Sequence, residues 1–304
     1  MTLHRRRCML ILLSVLATNI ARGDEAAPTP CVRFGVIADA QYADAEPGGS
    51  RHFRASLKKL ETCVADFNRQ KLAFVIQLGD LVDRSQADVA TILAPYRKLK
   101  NPAYHVIGNH DAALGDTVRS VLKGKTPGYY DFAVGQWRFV VLDTSDLRLQ
   151  SVTSTAPAAG EAQAIFDQLK TRNAPNAQTW NGGIGAHQKA WLKTVLTKAK
   201  KTGERAVVFS HMPLYPSDVH NPWNVEDIIP ILENSKCVAA CFAGHNHAGR
   251  YAQKNGIHYL TLEGMIETPD QTAYAVVEIY PDRIQIQGRG RVPTRILTLP
   301  CQTK

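Results

Sequence analysis

Nine short apolar runs punctuate the chain: Val32–Ala38, Ala73–Leu78, Ala103–Ile107, Phe139–Leu142, Ala206–Phe209, Val238–Ala243, Ile257–Leu262, Ala275–Ile279 and Ile284–Ile286. Each has strand length, and six of them abut Gly, Pro or Asp, the punctuation of buried strands. Two longer stretches repeat their apolar residues at helical spacing. In Phe53–Arg69 these are Phe53, Leu57, Leu60, Val64 and Phe67, and in His187–Lys201 they are Trp191, Val195 and Ala199. Each predicts a helix laying one stripe on a sheet. The first half reads β-α-β-α-β. The second shifts to short strands without long helices, which predicts antiparallel pairing at one side of a sheet. Nine strands require two packed sheets or one large one. Residues 151–183, rich in Ser, Thr, Ala, Pro and Gly, show no strand period and read as a long excursion or lid. There is no internal repeat.

The chain has 304 residues, 44% hydrophobic and 21% charged, which excludes collagen, coiled coil and a disordered tail and leaves room for one large core. Its N-terminus carries Arg5-Arg6-Arg7, an apolar run from Cys8 to Ala17, and Ala21-Arg22-Gly23, the layout of a secretory signal cleaved after Gly23. About ten apolar residues fall short of the roughly 20 that span a bilayer, so no stable membrane anchor is expected. The expectation is a signal peptide over 1–23, a single domain over 24–304, and a periplasmic or secreted product. Cleavage removes four arginines and no acids, lowering the formal charge from +9 to +5. The dense basic block Lys198-Ala199-Lys200-Lys201 complements a helix C-terminus, so charge gives no support to a nucleic-acid partner. Five cysteines remain, at 31, 63, 237, 241 and 301, an odd number. Cys237 and Cys241 lie in an apolar run as small buried hydrophobes. Cys31 and Cys301 stand near the two mature ends, with their pairing open.

The chemistry lies where the strand-like runs stop, the edge at which open α/β sheets place ligands. The first run ends in Asp39-Ala40-Gln41, the second in Gly79-Asp80-Leu81-Val82-Asp83, the third in Gly108-Asn109-His110-Asp111. The Ala206 run ends in Ser210-His211 and the Val238 run in Gly244-His245-Asn246-His247. Any one of these is an ordinary turn. Carboxylates, imidazoles and carboxamides at five successive sheet edges are what two adjacent divalent cations require. Glycines before Asp80, Asn109 and His245 permit a sharp exit from the strand and close backbone approach to a bound anion.

These five blocks resemble the motif order of the calcineurin-like binuclear metallophosphoesterases: Asp-x-His, Gly-Asp-x-x-Asp, Gly-Asn-His-Asp/Glu, His and Gly-His-x-His. Gln41 departs from it, standing where most members have His. That departure, within Ile37-Ala38-Asp39-Ala40-Gln41-Tyr42-Ala43-Asp44, is similar to the manganese-dependent ADP-ribose/CDP-alcohol diphosphatases. So are Trp180-Asn181-Gly182-Gly183, Ser210–Pro216, Leu262–Thr268 and Gly288–Pro293. The resemblance implies an α/β/β/α sandwich, two packed mixed β-sheets flanked by helices. It implies Asp39, Gln41 and His247 on one metal, Asn109, His211 and His245 on the other, and Asp80 bridging. A carboxamide in place of an imidazole makes its site harder, which favours Mn²⁺.

The same resemblance puts His110 beside the leaving-group oxygen, with Asp83 to orient it, while Asp111 caps the next turn. The reaction so implied is hydrolysis of the phosphoric anhydride in ADP-ribose, CDP-choline or CDP-glycerol, giving a nucleoside monophosphate plus a phosphorylated remainder. The alternative is an exported phosphoesterase acting on other phosphomonoesters or phosphodiesters, since metal motifs do not fix the group beyond phosphorus. Arg54, Arg289 and Arg291 are candidates for holding the second phosphate. Tyr42, Trp180 and Trp223 are candidates for stacking on the base.

Overall fold

Each of the nine apolar runs becomes a strand in the computed structural model, which describes residues 28–115, 128–149 and 156–300. The predicted signal segment and Cys301 lie outside the described residues. Three further strands appear among the described residues, giving β1 (Val32–Ile37), β2 (Phe74–Gln77), β3 (Ala103–His105), β4 (Tyr130–Val134), β5 (Trp137–Val141), β6 (Arg205–Phe209), β7 (Val238–Ala243), β8 (Ala248–Lys254), β9 (Ile257–Glu263), β10 (Ala273–Ile279), β11 (Arg283–Gly290) and β12 (Arg295–Thr298). The helices are α1 (Ala55–Phe67), α2 (Ala87–Tyr96), α3 (Asn109–Ala113), α4 (Ala156–Thr171), α5 (Ala186–Lys201) and α6 (Val225–Ser235).

The strands form two six-stranded sheets, ordered β12-β11-β10-β1-β2-β3 and β4-β5-β6-β7-β9-β8. In the first, β1, β2 and β3 run parallel, and β10, β11 and β12 add an antiparallel side, as the pattern of the second half predicts. In the second, β5, β6, β7 and β9 run parallel between the antiparallel edge strands β4 and β8. The sheets face each other through phenylalanines. Phe34 stacks on Phe74 at 4.8 Å between ring centroids, and meets Phe139, Phe209 and Phe242 of the opposite sheet edge-on at 5.8–6.1 Å. All five are buried, and offset and T-shaped aromatic pairs suit two sheets packed face to face. Helices α1 and α2 cover the outer face of the first sheet through Leu60, Val64, Phe67 and Ile92. Helices α5 and α6 cover that of the second through Leu192, Leu196, Ile228 and Leu232. Because both faces are covered, β7 and β10 are buried along their whole length, which is why they read as unbroken apolar runs. The fold is the expected α/β/β/α sandwich.

Of the segment expected as an excursion or lid, residues 151–155 lie outside the described residues, and residues 156–183 pack onto the fold. Helix α4 buries Ala162, Phe166 and Leu169 against Leu147 and Trp223, and the following turn is stitched to residues 219–224, with Asn176 Nδ2 donating to the Pro222 carbonyl at 2.8 Å. Trp223 is therefore core. Its ring packs on Phe166 and its Nε1–H donates to the Gln178 carbonyl at 3.0 Å, so it is sealed away from any base. Tyr42 is buried too. Cys63, Cys237 and Cys241 are buried and Cys31 is exposed. Among the described residues, no helix is long and apolar enough to cross a membrane.

Candidate metal centre

The C-terminal ends of β1, β2 and β3 meet those of β6 and β7, so the five motif loops converge from both sheets. The backbone shows how tightly they turn. Asp39, Gln41, Asp80 and His245 all adopt left-handed φ between 44° and 68°, costing of order 1 kcal/mol or more each. Such strain persists where surrounding structure holds it, as at a functional site. Gly79 makes the expected sharp exit, with φ at 103°, whereas Gly108 and Gly244 serve another purpose. A Cβ at Gly108 would collide with the Asp80 carboxylate, and one at Gly244 would lie 2.6 Å from Asp39 Oδ2. They make room for the protein's own carboxylates.

Asp111, as expected, caps a turn, and it does more. Its buried Oδ2 accepts N–H bonds from Gly108 (3.1 Å) and Asp80 (2.7 Å), and its Oδ1 from Leu81 (3.0 Å) and Val82 (3.3 Å). One side chain thus ties the loop after β2 to the loop after β3.

Each histidine is oriented by the nitrogen that faces away from the cluster. His211 Nδ1–H donates to the Leu78 carbonyl at 2.9 Å, which leaves Nε2 as the lone-pair atom, 3.0 Å from Asn109 Oδ1 and 3.1 Å from Asp80 Oδ2. Neighbouring ligands of one six-coordinate cation with bonds of about 2.1 Å stand about 3 Å apart. His245 Nε2–H donates to Asn181 Oδ1 at 3.0 Å, leaving Nδ1. One ligand-type atom from each of Asp80, His211 and His245 falls within 4.8 Å of the others. His247 Nδ1–H donates to Glu267 Oε1 at 2.8 Å, leaving Nε2 3.6 Å from Asp39 Oδ1. A carboxylate or carbonyl behind the imidazole is the usual backing of a metal-ligating histidine.

Gln41 makes the most direct case for a cation. Its Nε2 donates to Asp83 Oδ1 at 2.9 Å and lies 2.9 Å from His110 Nε2, whereas its Oε1 is buried with no hydrogen-bond partner. A buried carboxamide oxygen left bare is costly unless something electropositive meets it. The predicted donor set therefore fits two divalent cations: Asp39, Gln41 and His247 could hold one, Asn109, His211 and His245 the other, with Asp80 between.

The charges balance in a way that cations would rearrange. Burial works against a charged imidazole at His211 and His247, yet the Asp80 and Asp39 carboxylates beside them push both up to about 9. Asp80 is held below the usual carboxylate range by His211 and His110 despite its burial. His245 goes the other way: burial and the neighbouring His211 hold it well below the usual imidazole range, neutral and able to donate a lone pair.

His110 stands beside the cluster. Its Nδ1–H donates to the Asp83 carbonyl at 2.8 Å, with Asp83 Oδ1 at 3.4 Å, so Asp83 orients the ring chiefly through its backbone. The ring borders a cleft of about 300 Å³ lined by Arg51, Asp80, Asn109, His110, Trp180, His220, His245 and His247. The three candidate arginines stand elsewhere. Arg54 is paired with Asp44 and Glu46 on the surface; Arg289 is exposed and donates to the carbonyl of Gly288. Arg291 Nη1 donates to the Gly264 carbonyl at 2.9 Å and its Nη2 to that of His247 at 3.4 Å, bracing the loop behind His247. Arg51 is the arginine that lines the cleft. Sequence reasoning missed it, along with Glu267, His220 and Lys59, whose buried Nζ donates to the carbonyls of Glu267 (3.1 Å) and Thr268 (2.9 Å). The one signal that covered Glu267 was the Leu262–Thr268 block. Of the candidate aromatics, Trp180 is in the cleft, 40% exposed, 5.2 Å from the His245 ring and 5.3 Å from that of His220.

Comparison with known proteins bears on this geometry. Residues 32–249 match the calcineurin-like phosphoesterase family. The manganese-dependent ADP-ribose/CDP-alcohol diphosphatase of Mus musculus is 33% identical, over 89% of this chain and 94% of the mouse protein. That of Oryza sativa subsp. japonica is also 33% identical, over 86% of this chain and 92% of the rice protein. Among solved structures, a dimetal phosphatase from Danio rerio superimposes with a TM-score of 0.82 at 29% identity, covering 89% of this chain and 100% of the fish protein. A purple acid phosphatase from yellow lupin, 13% identical, shares the fold at a TM-score of 0.61, covering 91% of this chain and 56% of the lupin chain. With its five motif loops, its carboxamide at Gln41 and these relatives, the chain belongs to the calcineurin-like metallophosphoesterases and, within them, to the family of the manganese-dependent ADP-ribose/CDP-alcohol diphosphatases.

Proposed function

We propose that the chain hydrolyses the phosphoric anhydride of nucleoside diphosphate-linked small molecules, ADP-ribose and CDP-alcohols among them, using two Mn²⁺ ions. The substrate class follows the named activity of its relatives. The observation that carries the metal preference is the buried, partnerless Oε1 of Gln41, a hard oxygen donor where an imidazole would make the site softer. When bound, the cations polarise the attacked phosphoryl group and supply hydroxide near neutral pH. Around them the protein positions. Asp39, Gln41, Asp80, Asn109, His211, His245 and His247 hold the cations, and Asn181 and Glu267 fix the rings of His245 and His247. His110, locked through Nδ1 to Asp83 and bordering the cleft, is the group assigned to proton transfer to the departing phosphate, with Nε2 first leaving the Gln41 amide that it accepts from. Arg51 and Trp180 are placed to meet charge and base on the substrate.

The test is turnover of ADP-ribose, CDP-choline, bis-p-nitrophenyl phosphate and p-nitrophenyl phosphate with Mn²⁺, products resolved by chromatography. AMP and ribose 5-phosphate from ADP-ribose at the highest kcat/KM are expected. Preference for either nitrophenyl ester, with both diphosphates untouched, overturns the reading in favour of a general phosphoesterase. The reading also includes export with removal of residues 1–23, supported by the Arg5–Gly23 layout. N-terminal sequencing of the mature protein should begin at Asp24.

A further inference from the structure

We propose that Lys59 is a positioning residue for the metal centre: its buried amine holds the turn at residues 267 and 268 so that the Glu267 carboxylate meets His247. This rests on the assignment of His247 to a cation made above. Lys59 stands in the buried stripe of α1 with Ser56, Leu60, Cys63, Val64 and Phe67, and is only 4% exposed. A lysine is almost never closed off from water to this degree unless it has partners. Its partners are two successive carbonyls far along the chain, those of Glu267 (3.1 Å) and Thr268 (2.9 Å).

Those carbonyls converge on one nitrogen because the chain turns there. In an extended strand successive carbonyls point to opposite sides. At Thr268 the backbone instead takes a left-handed φ of 64°, a costly conformation for a β-branched residue. The N–H side of the segment is tied elsewhere. Thr268 N–H donates to the Ser50 carbonyl at 3.2 Å, and the N–H groups of Met265 and Ile266 donate to the carbonyls of Ala38 and Asp39 at 3.0 and 2.9 Å. Lys59 closes the carbonyl side. Burial and the neighbouring charge of Arg291 pull its pKa down to about 8, yet an amine keeps N–H groups to donate in either charge state, so the clamp does not depend on protonation.

The effect passes through two side chains. The turn sets where the Glu267 backbone stands, Glu267 Oε1 accepts the Nδ1–H of His247 at 2.8 Å, and His247 Nε2 is left 3.6 Å from Asp39 Oδ1. A side chain of similar length without donors at position 59 would leave both carbonyls without the amine, and the turn would relax toward commoner backbone. Glu267 would then aim poorly. The loss would fall on the cation held by Asp39, Gln41 and His247, and spare the one held by Asn109, His211 and His245.

The experiment is calorimetric titration with Mn²⁺ of the wild type, Lys59→Met, Glu267→Ala and the double variant, with thermal unfolding of each metal-free protein alongside. Lys59→Met should weaken one of two Mn²⁺ sites about tenfold, the lower end of the range for groups behind metal-ligating histidines, and leave the other within about twofold. In the Glu267→Ala background the same substitution should change affinity by less than about twofold, because no carboxylate is left to aim. Lys59→Gln, which keeps an amide donor, should lose less than Lys59→Met, and it is read by the same criteria if the Met variant does not fold. The proposal is overturned if a folded Lys59 variant lowers Tm with both Mn²⁺ sites unchanged, if both sites weaken alike, or if the double variant loses the product of the two single effects. A wild type that binds fewer than two Mn²⁺ ions overturns the metal assignment itself, and that isotherm is read before any variant is made.

Discussion

Glu267 touches no candidate cation, yet its removal should be felt in metal affinity. Its Oε1 accepts the Nδ1–H of His247 at 2.8 Å, and both side chains are nearly closed to water, 12% and 11% exposed. That hydrogen bond is the largest cause holding the Glu267 carboxyl down to about 2 from its ordinary 4.5. At 1.36 kcal/mol per pH unit, the whole displacement corresponds to about 3.4 kcal/mol. Part of it comes from Ser50 and Arg291, and part reflects a positively charged His247, which becomes neutral when its Nε2 binds a cation. Halving the figure leaves about 1.5–2 kcal/mol acting through the neutral ring, or ten- to thirtyfold in affinity, within the range for groups behind metal-ligating histidines. The assay is calorimetric titration with Mn²⁺ at pH 7.5 on the wild type, Glu267→Gln and Glu267→Ala. Glu267→Ala should lose ten- to thirtyfold at one of two sites, and Glu267→Gln, which keeps an oxygen acceptor, less. Superimposable isotherms for Glu267→Ala and wild type would refute the coupling of Glu267 to the metal through His247.

Three further outcomes are expected. Without metal, the raised pKa values of His211 and His247 contribute stability that is fully present below pH 6.5 and is lost as pH rises through about 9; the metal-free Tm should fall over that window, and Mn²⁺ binding at pH 7.5 should release protons in buffers of different ionisation enthalpy. His110→Ala should lower kcat by about 10²–10⁴ while the Mn²⁺ isotherm stays within about twofold, because the ring's hydrogen bonds go to Asp83 and the amide nitrogen of Gln41 rather than to a ligand atom. Trp223→Ala should cost about 3–5 kcal/mol in denaturant unfolding with an unchanged KM, whereas Trp180→Ala should raise the KM for ADP-ribose at unchanged stability.

The fold was legible where strands are covered on both faces, since burial on two sides writes continuous apolar runs such as Val238–Ala243. Three of the four edge strands, β4, β8 and β12, were not. β8 reads Ala-Gly-Arg-Tyr-Ala-Gln-Lys and β12 has Ile296 exposed, so neither stands out from a loop. Helix α2 stands where the β-α-β-α-β reading puts a helix, whereas α6 escaped because it carries a proline in its interior, Pro230, and α4 because its many alanines blur the stripe. The metal cluster was legible because ligands must be particular residue types just past strand ends. The groups that orient it carry no such signature. Asn181, Glu267 and Lys59 act through one hydrogen bond each or two, from positions distant in the chain, and Arg291 was misplaced because a cation bracing carbonyls and a cation awaiting phosphate look alike in sequence.

The clasp that Asp111 makes across the loops after β2 and β3 has a consequence for how such a protein can diversify. Asp80 and Gly108, the residue before Asn109, are fastened to one carboxylate, and their strands are locked in parallel register, Gln77 opposite His105. The spacing between Asp80 and the loop that carries Asn109, residues that would hold the cations, is thereby inherited from the sheet and not from the loops. The segments that carry Arg51, Trp180 and His220 hang outside that frame. They can lengthen, shorten or exchange residues, and so change which molecule is held, while the hydrolytic centre keeps its dimensions.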